Sequence, residues 1–484
     1  MLSARGSCAV SSEWIDPTAS SATRHPKATR PGDLRSLRCG LMEGPSSDSR
    51  LVALERRVMA VARLSRRGEL DGPGALSGPV LFQYPGRMAP SVQSAIFDAV
   101  LPALPDEATV LDPFVGSGIT LDAARLRSLE FTGVDINPLA VLICAVKAGP
   151  LRVGEFVWRA VETGMVARSD RRLQPDCRFD GMEKWFREDV AIDLGRLRRA
   201  ILKAGDESTR DFLWVCLAET VRRVSNSRVS TCKLHMRTLD DVRRPLAVID
   251  EFEVVAERFA GRLGEYRRGL PDGADGPCRP VRLVCGDVRS VDQAVLPQRG
   301  FDLVITSPPY GDNHTTVPYG QTSYLPLRWI PASELARITN SRHPATAYQT
   351  DTASLGGSMK APAGRAEPES EALAATLQHL SQCPADRAKR VQRFVADLDH
   401  CLERVVDASA PGAVQVWTVG DRHVGGRRVP LRKIFRELAA SRRLEFVGSI
   451  TRALPSQRRM AVCNQHAPRI ATEDSLVFVA PPTR

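Results

Sequence analysis

Apolar positions along the chain change period several times, and each change marks a new element. Residues 51–66 repeat their apolar side chains at helical spacing, and 81–90 lead into a second helical run at 91–101. Around Val110 and Leu111 a short apolar strand runs into a glycine turn, after which 119–129 return to helical spacing. Residues 131–135 read as the next strand and 138–147 as a helix packed on the sheet, and at Gly149-Pro150 the alternation stops. From 151 to 273 the spacing is helical, clearest at 191–203, 212–224 and 246–263, which predicts an inserted helical domain over 151–275. Strand spacing resumes at 281–285 and 301–305. The stretch 311–387 is polar and rich in Gly, Ser, Thr and Pro, so it predicts a long loop, flexible at the surface over 351–370. Beyond it a helix (388–406), a strand (413–419), a helix (429–440) and two strands (444–451, 475–479) complete the pattern. The whole predicts an α/β sheet assembled from 51–150 and 276–484 around the insert.

Composition narrows the function classes. A chain of 484 residues can bury a large core, and its 43% hydrophobic content is that of a globular protein. No apolar run is long enough to span a bilayer, so no membrane partner is expected. Residues 1–50, rich in Ser, Arg and Pro with no apolar segment, predict a disordered tail rather than a signal peptide, with Met42 as an alternative start. The net charge of +11 suits a polyanionic partner, and it equally reflects arginine spread along the chain. Eleven cysteines without a Cys-x-x-Cys pair argue against a zinc module and fit reduced thiols in a cytoplasm; the eight scattered histidines suggest no metal site.

The candidate chemistry sits at the strand ends, where open α/β sheets bind ligands. Thr306-Ser307-Pro308-Pro309-Tyr310 follows the strand 301–305. Its prolines remove two N–H donors and hold the preceding residues extended, leaving the Ser307 hydroxyl and nearby carbonyls as acceptors beside the Tyr310 ring. Acceptors next to a flat ring suit an amino group on an aromatic base; the plain alternative is a proline-braced turn. Val110-Leu111-Asp112-Pro113-Phe114-Val115-Gly116-Ser117-Gly118 carries glycines that let a ligand approach a helix N-terminus. Asp135 then stands where such folds bind ribose hydroxyls. A dinucleotide site fits less well, because the third glycine of that fingerprint is missing.

These motifs resemble motifs IV, I and II of the amino-methyltransferases, which move a methyl group from S-adenosylmethionine (SAM) to an exocyclic nitrogen of a nucleobase. The resemblance covers roughly 82–480 and implies a Rossmann-like, seven-stranded SAM-dependent methyltransferase sheet whose last strand is antiparallel. It implies that Ser307, Pro308, Pro309 and Tyr310 are catalytic, and that Asp112, Phe114, Gly116, Gly118, Asp135 and Ile136 hold SAM. Tyr84 and Pro85 resemble motif X and Asp287 motif III, so they join the cofactor site, with Asp287 toward the adenine. The motif order is similar to the alpha arrangement, with the insert as target-recognition domain. Within it, 221–237 carries Arg222, Arg223, Arg228, Lys233 and Arg237 without an acid, a candidate phosphate-binding loop or else a solvated basic surface. Residues 312–321 flank the catalytic turn and are read as shaping the target-base pocket.

Ser-Pro-Pro-Tyr resembles the form typical of enzymes acting on N4 of cytosine, whereas adenine-N6 enzymes more often carry Asp-Pro-Pro-Tyr. The expectation is therefore a site-specific DNA methyltransferase making N4-methylcytosine. Adenine N6 is the first alternative, followed by an RNA base or protein glutamine, and then a nucleic-acid-binding protein without activity. A cytosine-C5 enzyme needs a cysteine nucleophile in a Pro-Cys turn, and Pro277-Cys278 precedes a strand rather than following one. DNA is the expected partner, and the resemblance leaves open a restriction endonuclease or other defence-system partner.

Overall fold

The computed structural model describes residues 47–70, 78–271, 279–292, 300–359, 366–454 and 470–482. Most of the expected N-terminal tail, including Met42, and the Pro277-Cys278 pair lie outside the described residues.

Nine strands are present among the described residues: β1 (Thr109–Asp112), β2 (Glu130–Asp135), β3 (Val281–Cys285), β4 (Phe301–Thr306), β5 (Ser409–Val419), β6 (Arg422–Val424), β7 (Arg427–Val429), β8 (Glu445–Ala453) and β9 (Thr472–Val479). Seven form one sheet in the order β3-β2-β1-β4-β5-β9-β8. β1 through β5 pair in parallel, and β9 runs antiparallel between β5 and β8. The antiparallel last strand and the α/β class match the expectation. β4 is buried at every position, as a strand covered on both faces must be, which explains its unbroken apolar character. The switch of connection between β1 and its two neighbours opens a crevice at the carboxyl ends of β1, β2 and β4.

The helix Pro138–Ala148 covers one face of the sheet and begins the insert's packing. Insert side chains Phe212, Trp214, Phe252 and Phe259 share a core with Leu139, Leu142 and Ile143 of that helix. The second core, under β4 and β5, gathers Phe394, Leu398 and Leu402 of the helix Ala385–Ala408 with Trp417 and Phe435.

Two expectations are corrected. The stretch 311–387 is not a long loop, since it holds the helices Tyr319–Trp329, Ala332–Thr339, Gln349–Ala353 and Glu371–Leu380. The first three are short, and one carries Pro326 in its interior, so little in local propensity marks them, whereas Glu371–Leu380 has helix-forming residues and a Ser370 cap. Their stability comes from tertiary burial: Leu325, Leu327 and Trp329 enter the insert's core. Nor is 351–359 a free surface, because the buried Asp351 accepts a bond from the Gly320 amide at 2.9 Å and Asp397 accepts one from Gly356 at 2.8 Å. The second correction is at Val429, which closes a β6–β7 hairpin rather than starting a helix; the helix begins at Leu431.

Candidate active site

The crevice begins with the glycine turn after β1. Gly116 and Gly118 both adopt left-handed φ, +51° and +80°, and a Cβ on Gly118 would lie 2.9 Å from the Cys144 sulfur. Three groups then fix the turn. The Gly116 amide donates to the Asp135 carboxylate at 2.8 Å, the Cys144 thiol donates to the Gly116 carbonyl at 3.4 Å, and the Lys147 ammonium donates to the Ser117 carbonyl at 2.7 Å. Cys144 and Lys147 lie one turn apart on the helix Pro138–Ala148, so a single helix face holds both carbonyls away from the crevice. Burial pushes the Cys144 thiol well up, which keeps it a neutral donor. Lys147 is 1% exposed and pairs at 2.6 Å with Asp122, 2% exposed.

The two motif carboxylates stand at the ends of β1 and β2. Asp112 accepts from the Thr306 hydroxyl at 2.6 Å and the Phe114 amide at 3.1 Å, and burial raises its pKa to about 6. Asp135 accepts from the Gly116 and Asn137 amides, both at 2.8 Å, and burial, with Asp112 adding to it, raises its pKa to about 6. Asn137 caps the following helix by accepting from the Leu139 amide at 3.1 Å ahead of Pro138. Its amide nitrogen donates to the Tyr84 hydroxyl at 3.1 Å, and the Tyr84 ring sits 5.6 Å from that of Tyr319.

Most of the predicted residues meet in one cleft. Tyr84, Pro85, Asp112, Phe114, Gly116, Asp135, Ile136 and Asp287 line it together with Ser307 and Pro309, whereas Gly118, Pro308 and Tyr310 are not among its lining residues. Asp287 faces the cleft with its carboxylate already bound to Arg289, which donates from its backbone amide at 3.0 Å and its guanidinium at 2.9 Å. The Tyr310 hydroxyl donates to Glu473 of β9 at 3.1 Å and lies 3.4 Å from the Ser307 hydroxyl. Burial first and the Glu473 charge second raise its pKa. One side of the Tyr310 ring rests on Gly420, where a Cβ would come within 2.9 Å of it.

The basic stretch of the insert is two structures rather than one loop. Arg222 and Arg223 end the helix Glu207–Val224 and bind carboxylates: Arg222 holds Glu219 at 2.7 Å, and Arg223 holds Glu251 and, at 3.5 Å, Glu219. The acid-free stretch begins just after Glu219, so the partner one helical turn back fell outside it. Arg228 is exposed, and Arg237 donates to the Ser225 carbonyl at 3.3 Å. The segment is tied to the helix after the Ser307–Tyr310 turn, since Leu234 donates to Gln321 at 3.2 Å and Thr322 donates to the Cys232 carbonyl at 3.0 Å.

Sequence reading did not assign Asn137, Cys144 or Lys147 a place in the site, and it had Tyr319 only within 312–321, the segment read as shaping the target-base pocket. The Asn-Pro pair after a strand was a visible cap signal, and a lysine closing an otherwise apolar helix was a weaker one. The contact of Tyr319 with Tyr84 had no local signal, because the two residues lie far apart in sequence.

With known proteins the chain shares limited similarity. No protein-family model matches it. It is 25% identical over 388 residues to the Type II methyltransferase M.MvaI of Kocuria varians, a match covering 78% of this chain and 84% of that protein. Two structures of the rRNA methyltransferase aviRa from Streptomyces viridochromogenes overlay on 85% of this chain and 92% of theirs, at 13% identity and TM-scores of 0.29 and 0.26.

Proposed function

We propose that this chain is a SAM-dependent DNA methyltransferase that methylates the exocyclic N4 of cytosine. One observation carries the reading: a single cleft joins the buried Asp112 and half-buried Asp135 carboxylates to Ser307 and Pro309 of the Ser307-Pro308-Pro309-Tyr310 turn. The Type II methyltransferase relative supports the DNA substrate. The residues suit SAM, since Asp135 offers a carboxylate to a ribose diol and the buried Ser117 hydroxyl has no partner among the described residues. SAM supplies a methyl group on a sulfonium centre.

The chain's own residues do the positioning. The amine of cytosine is a weak nucleophile because its lone pair is delocalised into the ring. Ser307 and the Pro308 carbonyl accept its hydrogens and turn the lone pair toward the methyl, so the gain comes from orientation and fixed dipoles. Extruding the base costs a few kcal/mol, and stacking on the tyrosine ring returns about 1–3 kcal/mol. Half-buried Ser307, Pro309 and Tyr310 leave the turn accessible to an incoming base. A neutral hydroxyl at 307, where an aspartate is commoner among adenine enzymes, favours cytosine over adenine N6.

Transfer of tritium from methyl-labelled SAM tests the reading against duplex DNA, RNA and bulk protein. Label in DNA is the expected result, and label confined to RNA or protein overturns it.

A further inference from the structure

Three cations on elements that follow the catalytic turn form no ion pair among the described residues. Arg387, Lys389 and Arg427 carry no carboxylate within ion-pair distance among the described residues, whereas the neighbouring Arg428 binds Asp421 and Arg390 approaches Asp312. Lys389 and Arg427 are exposed and Arg387 is half-buried. Arg427 lies on β7 of the β6–β7 hairpin, Arg387 reaches the hairpin's tip, and Lys389 follows two residues on along the same helix. The tip is the pair Gly425-Gly426 with φ of +59° and +77°, the two-residue turn that suits the twist of antiparallel strands. A Cβ on Gly425 would lie 3.0 Å from the Arg387 guanidinium, so the start of the helix Ala385–Ala408 abuts the tip.

The hairpin is also locked to the proposed chemistry. β5 runs parallel to β4, with Thr306 beside Trp417, so both strands leave the sheet at the same edge. The chain leaves β5 at Gly420, against the Tyr310 ring, and Arg422 then forms a buried ion pair at 3.2 Å with Asp312, which is 0% exposed. A buried pair of this kind fixes one arrangement of the two segments. The cations are therefore held at a set distance from the turn.

We propose that Arg387, Lys389 and Arg427 form a phosphate-binding surface that grips the DNA backbone beside the extruded base. The inference rests on the DNA reading above and adds where the duplex is held. Guanidinium and ammonium groups with no internal acceptor are the groups free to exchange condensed counterions for phosphates. This surface is distinct from the insert's basic segment, where Arg222 and Arg223 are already neutralised.

Anisotropy titrations of a labelled DNA duplex over a range of salt test it, with the triple variant Arg387→Gln/Lys389→Gln/Arg427→Gln. The logarithmic salt slope should fall by about two to three units, while SAM affinity stays at the wild-type value and reports intact folding. The charge-conserving pair Arg387→Lys/Arg427→Lys should keep the slope. A wild-type slope in the triple variant overturns the surface while leaving the DNA reading standing. A wild-type protein that binds no duplex at low salt overturns both.

Discussion

The two ends of the cleft are built differently. At the end proposed for the cofactor most ties are made within residues 84–147, Asp135 by two backbone amides and the glycine-turn carbonyls by Cys144 and Lys147, with Asp112 reaching out to Thr306. At the base end the ties are long-range side-chain pairs, Tyr310 to Glu473, Glu473 to Arg452 and Asp312 to Arg422. The first end is preorganised by local chain geometry. The second is held by distant elements and leaves Ser307, Pro309 and Tyr310 half-exposed, as the proposed entry of a bulky base requires.

The strongest way to break this contrast is Lys147→Met. Removing one member of the buried Lys147–Asp122 pair should cost about 3–5 kcal/mol in urea unfolding and also weaken SAM binding, because the Ser117 carbonyl loses its donor. Adding Asp122→Leu should recover most of the stability and none of the lost affinity. Next, Asp135→Ala should weaken SAM at least about a hundredfold by calorimetry, since hydrogen bonds to a charged group contribute about 1.5–3 kcal/mol each. Wild-type affinity in a folded Asp135→Ala protein would remove that carboxylate from the cofactor end.

Tyr310→Ala probes the other end. Methylation should fall about tenfold to a hundredfold, in line with about 1–3 kcal/mol of lost stacking, with SAM affinity unchanged. Tyr310→Phe keeps the ring and loses only the bond to Glu473, so it should retain most activity. If Tyr310→Ala instead weakens SAM and spares turnover, the division of the cleft fails.

A smaller effect is a pH response of opposite sign in binding and stability. Asp112 and Asp135 titrate at about 6 in the folded protein, above the ordinary carboxylate value, so the native state takes up protons that the unfolded chain does not. These groups therefore add stability as pH falls from 7 toward 4 and lose that contribution as pH rises through 6. Over the same range the charged Asp135 disappears, and SAM affinity should drop about tenfold between pH 7 and pH 5. Parallel calorimetry and denaturation at both pH values check the two signs. The smallest effect is expected at Arg222→Gln, whose charge already serves Glu219: DNA affinity and its salt slope should change little.

The same division explains what could be read from the chain. Asp112, Gly116, Gly118 and Asp135 occupy consecutive strand ends and turns, so their placement at the crevice follows from spacing, and the helix after them is marked by Asn137-Pro138 at its start. The parallel core strands were legible because burial on both faces makes them uniformly apolar. The helix Tyr319–Trp329 was not, because Trp329 is held by Phe179 and Phe186 of an insert more than a hundred residues earlier. Asp312 reads as one more polar residue until Arg422 is folded beside it. Arg222 and Arg223 looked like free cations for a related reason, since their partners Glu219 and Glu251 lie outside the basic stretch.

The identity of the methylated nucleoside tests the central claim most directly. Duplex DNA incubated with the protein and SAM, digested to nucleosides and resolved by mass spectrometry, should contain N4-methylcytosine. Methylation found only at C5 of cytosine would contradict the account, because that product requires a cysteine nucleophile in place of the Ser307–Tyr310 turn.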